Sequence, residues 1–140
     1  MTFPTFQRSR AFNPISIMPE LSKLRICYLA GTLGQGGAER QLFYAAQALR
    51  RSGARVRILS LEPGGFWETP IKDLGVRVTC VGEHGSRLRR VLRIVRLLRE
   101  EPADIVQSQH FYTNAYAAVA ALLLNPKGIG ALRPLPLRRS

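Results

Sequence analysis

A chain of 140 residues with 46% hydrophobic positions is long enough for one ordinary domain with a real core, and short for a two-domain enzyme. Its formal charge of +12 points toward acidic partners in general: nucleic acid, an acidic substrate or an anionic membrane surface. That charge selects none of them, because only Lys23, Lys72 and Lys127 are lysine and the other 18 basic residues are arginine, a skew that GC-rich coding sequence also produces.

In chain order, residues 1–22 carry basic residues but no sustained apolar core with a small-residue cleavage site, so they read as a disordered extension rather than a secretory signal. Translation starting at Met18 would leave residues 1–17 as upstream sequence. "LRICYLA", residues 24–30, is apolar on both faces, as expected of a central parallel strand covered by helices on both sides. "GTLGQGGAER", residues 31–40, opens a loop, and "AERQLFYAAQALRR", residues 38–51, places Leu42, Ala45, Ala46 and Leu49 on one helical stripe before the "SG" stop.

"ARVRILSL", residues 54–61, reads as a second strand, and Pro63 with Gly64 and Gly65 breaks the chain into a loop. A short helix through Ile71 and Leu74 ends at Gly75, followed by a third strand over residues 76–81. In "SRLRRVLRIVRLLREE", residues 86–101, the expected inward stripe is Leu88, Val91, Leu92, Val95 and Leu98, with Arg89, Arg93 and Arg96 outward. "ADIVQSQ", residues 103–109, is a fourth strand, "HFYTNAYAAVAALLL" a further helix, and "GIGALR", residues 128–133, a fifth strand. The longest apolar run, residues 115–124, falls short of the roughly 20 residues that span a bilayer. Alternating strands and helices imply βαβ units and an α/β fold: a Rossmann-like parallel sheet of about five strands flanked by helices. Cys27 and Cys80 sit in apolar runs, the pattern of buried reduced thiols on strands in a reducing cytoplasm.

In such a sheet the first strand-to-helix loop is where ligands meet exposed amides and a helix dipole. Residues 31–40 do not form a Walker loop, because Gly37 and Ala38 stand where Lys and Ser or Thr are required. A dinucleotide fingerprint beginning at Gly34 breaks at its sixth place, Glu39, although Glu62 follows the second strand where a ribose-binding acid would sit. Nicotinamide binding therefore stays open as an alternative, as does a plain turn that lets the helix pack closely. Glu39 suits the first helical turn as capping chemistry, and Arg40 fits either an anion or sugar-hydroxyl site or a surface salt bridge to Glu39.

The GGAER loop, the "PADIVQSQ" strand and the "HFYTN" segment after it resemble the amino-terminal domain of the family-four glycosyltransferases of the GT-B fold, over residues 23–133. That resemblance implies two Rossmann-like domains facing across a cleft, the first mostly holding the acceptor and the second the nucleotide sugar. It implies transfer that retains anomeric configuration, with no metal and no cofactor beyond the nucleotide-sugar substrate. On it, the amides of Gly36 and Gly37 face the donor, with Glu39 beside them, and Arg40 shapes the acceptor side. Members carry histidines where this chain has Gln107 and Gln109, with His110 one place on, so Gln109 and His110 carry over as polar acceptor contacts. His110 is the one candidate for a catalytic role, and Asn114 matches a further polar position.

No counterpart of the donor-binding domain is recognisable, and "PLPLRRS", residues 134–140, reads as a disordered basic tail. The expectation is a truncated, frameshifted or split enzyme needing a separate carboxyl-terminal half, inactive alone. The arginine stripe over residues 87–99 suits peripheral contact with an anionic membrane at the inner face, where lipid-linked or cell-envelope acceptors would lie. A nucleic-acid module is the non-enzymatic alternative, but interleaved aromatics and a known reading motif are missing, so no nucleic acid is expected.

Overall fold

The structure, a computed structural model, describes residues 21–82, 85–124 and 127–130. The expected disorder of residues 1–20 and of the tail, and the last three residues of the expected fifth strand, lie outside the described residues.

Five strands form one parallel sheet: β1 (Arg25–Ala30), β2 (Arg55–Ser60), β3 (Arg77–Cys80), β4 (Ile105–Ser108) and β5 (Lys127–Gly130), in the order β3-β2-β1-β4-β5. The connecting helices are α1 (Gly37–Arg51), α2 (Glu68–Asp73), α3 (Arg87–Glu100) and α4 (Asn114–Leu124), the last preceded by a 3-10 turn over Phe111–Thr113. β1 is central, pairing with β2 from Arg25↔Arg55 to Ala30↔Ser60 and with β4 from Ile26↔Ile105 to Leu29↔Ser108.

Because strand side chains alternate between faces, β1 feeds two cores. Ile26, Tyr28 and Ala30 meet Leu42 and Ala46 of α1 and Ile71 of α2 on one face. Cys27 and Leu29 meet Ile94 and Leu98 of α3 and Ala117 and Ala120 of α4 on the other. A strand buried on both faces has no polar alternation to show, which is why "LRICYLA" reads as a continuous apolar run. Cys27 is buried and Cys80 half-buried, both free thiols, on strands separated by β2.

The inward stripe of α3 differs from the expected one. Ile94, Val95 and Leu98 are buried, whereas Leu88 is 67% and Leu92 59% exposed. Only the carboxyl-terminal half of α3 lies over the sheet, so the apolar positions of its first turns project past it. Arg89, Arg93 and Arg96 face solvent as expected.

At the amino-terminal edge of the sheet, Arg25, Arg50, Arg55, Arg57 and Arg77 surround a hollow of about 370 Å³. Its arginines are mostly spent on structure. Arg57 donates to the carbonyls of Leu97 and Glu101 at the end of α3, Arg50 to those of Leu74 and Ala54, Arg77 pairs with Glu101, and Arg25 with Asp104. Cations there complement the negative ends of the helices.

Candidate functional site

The order of strands reverses at the β1–β4 junction: the loop after β1 leads to α1 on one face, and the segment after β4 leads to α4 on the other. Two loops diverging from adjacent strands leave a crevice at the carboxyl edge, the place where open α/β sheets bind their ligands. Five of the seven residues singled out from sequence, Gly36, Gly37, Glu39, Gln109 and His110, lie at this junction, with Arg40 on the next position of α1 and Asn114 starting α4.

The crevice is laced together by side chains. Gly31 N–H donates to Nδ1 of His110 at 3.0 Å, and Nε2 of His110 lies 3.1 Å from Oε1 of Glu39. Since the amide can only donate, Nδ1 presents its lone pair, and the hydrogen of the neutral ring sits on Nε2 and is donated to the Glu39 carboxylate. Both ring nitrogens are thereby engaged, so His110 ties the two loops and has no free nitrogen for acid–base work. Its backbone is held as well: His110 N donates to Oγ1 of the buried Thr113 at 3.2 Å, and the buried Ser108 hydroxyl donates to His110 O at 2.8 Å. Gln109 continues the seam, donating from Nε2 to Ala38 O at 3.0 Å and from its backbone to Leu29 O at 2.9 Å.

Glu39 does not form the surface salt bridge to Arg40 that local sequence allows. It is 5% exposed, folded back against Gly36 and paired with His110, while Arg40 is exposed one position further round the helix. Successive helical residues differ by about 100° in direction, so adjacent charges need not meet. Glu39 also makes no capping hydrogen bond: the Gly36 amide donates to Gly34 O at 2.9 Å, and α1 starts without a side-chain cap. A Cβ on Gly36 would overlap the Glu39 carboxylate, whereas one on Gly37 would meet nothing within 4 Å. Gly36 thus makes room for Glu39, and Gly37 faces open space. A buried carboxylate at this loop also opposes a pyrophosphate, which weakens the dinucleotide reading.

Two cavities flank the seam. One, of about 290 Å³, is lined by Gln35, Gly36, Gly37, Arg40, Phe66 and Trp67. Phe66 packs edge-on against Trp67 at 5.1 Å, and Trp67 stacks on Phe43 of α1 at 5.0 Å. Trp67 N donates to Leu33 O at 2.9 Å, and Gly65, at φ +115°, lies so close that a Cβ would fall 2.6 Å from the Leu33 backbone. The positive φ and this close approach both call for glycine.

The other cavity, of about 470 Å³, lies between the loop ends and the first turns of α3 and α4, with Glu62, Arg87, Arg90, Tyr112 and Tyr116 in its wall. Tyr112 separates it from the seam: its ring stacks on His110 at 5.3 Å, and its hydroxyl covers Gly31 where a Cβ would stand. Burial, followed by the Glu62 and Glu39 carboxylates, pushes the Tyr112 hydroxyl up from its ordinary value, so it stays protonated.

Sequence reading missed Phe66, Trp67, Tyr112 and Arg90. The sequence marks Glu62 only as a possible ribose-binding acid. No local periodicity marks these residues; they meet because the loops after β1, β2 and β4 converge at one sheet edge.

A family model described as "Glycosyl transferase 4-like domain" matches residues 36–133. No curated protein matches the chain. Among solved structures, a glycosyltransferase from Rickettsia africae ESF-5 shares the fold with a TM-score of 0.64 at 18% sequence identity, the alignment covering 82% of this chain and 32% of that one. The chain therefore spans about a third of the length of that neighbour.

Proposed function

The chain belongs to the glycosyl transferase 4-like domain family, and from that premise we propose that it forms the acceptor-side wall of a cleft in which a sugar passes from a nucleotide-sugar donor to a glycan or lipid-linked acceptor. The observation that carries this reading is the cavity beside the start of α1. There the Gly37 position is open, α1 begins without a side-chain cap, and the Arg40 guanidinium shares the wall with the rings of Phe66 and Trp67. Amides and an arginine bind hydroxyls or a diphosphate, and aromatic faces pack against sugar C–H groups. Gln109 and His110 hold the two loops in register and shape this wall from behind, with Asn114 starting the helix that follows.

Transfer would retain anomeric configuration and require no metal. It needs preorganised positive groups around the departing diphosphate in a water-poor enclosure. One wall does not supply that, so the 140-residue protein alone should give little or no transfer, and robust turnover of a nucleotide sugar by it would overturn this part of the reading.

Trp67 is the single tryptophan of the chain and lies in the proposed wall, so its fluorescence reports occupancy. Titration with uridine and guanosine diphosphate sugars and with an oligosaccharide panel should give a saturable change that Arg40→Ala weakens. A flat response across the panel rules the reading out.

A peripheral contact with an anionic membrane at the cytoplasmic face is part of the same proposal. Leu88 and Leu92 are exposed on α3 among Arg89, Arg93 and Arg96, a mixture of apolar and basic groups suited to a lipid interface. Among the described residues no helix is long and apolar enough to cross a membrane. Co-sedimentation with phosphatidylglycerol vesicles that falls with salt, without matching affinity for duplex DNA, is the expected result; preference for DNA would favour the nucleic-acid alternative.

A further inference from the structure

The cavity between α3 and α4 carries charges that no described residue pairs. Arg87, Arg90 and Glu62 all line it, yet among the described residues none of these three side chains has an ion-pair or hydrogen-bond partner. Nε of Arg90 is fully buried and finds no acceptor among the described residues. A buried guanidinium N–H without an acceptor costs free energy that an anionic ligand would recover. Arg57, the other described arginine that is not exposed, shows the contrast: its guanidinium donates to the carbonyls of Leu97 and Glu101.

The remaining wall narrows the ligand. Glu62 accepts hydroxyl hydrogens but repels an anion, so it belongs against the uncharged part of the same molecule. The Tyr112 hydroxyl and the Tyr116 ring, with Gly31 at the loop end, supply one more polar contact and an apolar face. We propose that this cavity binds a phosphorylated polyol, with the phosphate on Arg87 and Arg90 and a hydroxyl on Glu62. This rests on the reading of the sheet edge as an acceptor wall: such a ligand would be the acceptor or its charged end, seated across Tyr112 from the His110 seam.

The same phosphate ester can come from a free metabolite or from a lipid headgroup, and two arms of one experiment separate them. Calorimetric titration with glucose 1-phosphate tests the soluble source, and co-sedimentation with phosphatidylglycerol vesicles tests the lipid source. Saturable binding in either arm, weakened about tenfold or more by Arg90→Gln and unchanged by Arg51→Gln, supports the site and identifies the source. Arg51 is exposed at the end of α1 and lines neither cavity, so it controls for the loss of one positive charge. In the calorimeter Glu62→Ala should weaken glucose 1-phosphate without weakening inorganic phosphate, which has no polyol hydroxyl. Circular dichroism establishes that each variant is folded. Equal binding by the wild-type protein and Arg90→Gln, or binding in neither arm, overturns the proposal. The Trp67 response reads the other cavity, so it separates failure here from failure of the glycosyltransferase reading.

Discussion

His110 accepts the Gly31 amide hydrogen at 3.0 Å across the junction of β1 and β4, and in doing so fixes which of its nitrogens faces Glu39. One imidazole, 79 residues from the amide and 71 from the carboxylate, closes the crevice where the strand order reverses.

The pair can be tested by asymmetric substitutions. His110→Ala strands a buried amide and a buried carboxylate, and should lower stability in urea unfolding by about 1–3 kcal/mol. Glu39→Gln keeps an oxygen able to accept from Nε2 and should cost less, within about 1 kcal/mol. If the two substitutions cost the same, the contact depends on the carboxylate charge and not on a hydrogen bond that the amide can replace.

The two neighbouring glycines should separate stability from binding. Gly37→Ala adds a methyl group to open space at the start of α1, and should leave the fold unchanged or stabilise it by up to about 1 kcal/mol. It should nevertheless block approach to the proposed site and diminish the Trp67 response to sugars. Gly36→Ala collides with the Glu39 carboxylate and should be destabilising. An unaltered Trp67 response in a folded Gly37→Ala protein would remove that glycine from the site.

Cys27 provides a pH signature. Burial pushes its thiol up to about 11, against a partial lowering by Arg57. Between the ordinary value of 9.0 and about 11 the folded state holds a proton that the unfolded chain has lost. Stability contributed by this group is therefore complete below pH 9 and falls as pH rises toward 11, by about 1.4 kcal/mol per unit at most. In the native protein at pH 8, a thiol reagent should modify the half-buried Cys80 first, and Cys27 only on unfolding. Equal rates would contradict the burial of Cys27.

Arg57 is 11% exposed and joins β2 to the end of α3 through the carbonyls of Leu97 and Glu101. Arg57→Met should cost about 1.5–3 kcal/mol, the scale of hydrogen bonds from a charged donor. Arg57→Lys should recover little, because an ammonium cannot reproduce the fork. Recovery by lysine would mean that charge alone matters there.

Sequence determined much of this protein. The apolar run over residues 24–30, the glycine-opened helix and the alternation of strand and helix imply a parallel α/β sheet, and the GGAER loop with "PADIVQSQ" and "HFYTN" points to the family. These features are legible because a strand's burial and a helix's apolar stripe are set by residues close in sequence. The site was legible only as a neighbourhood. That Glu39 turns inward to His110 while Arg40 turns out, that Leu88 and Leu92 overhang the sheet, and that Arg90 and Glu62 line one cavity without a partner among the described residues follow from where α3, α4 and three loops meet. Those are contacts between groups far apart in the chain, and only the packed sheet decides which side chains share a wall.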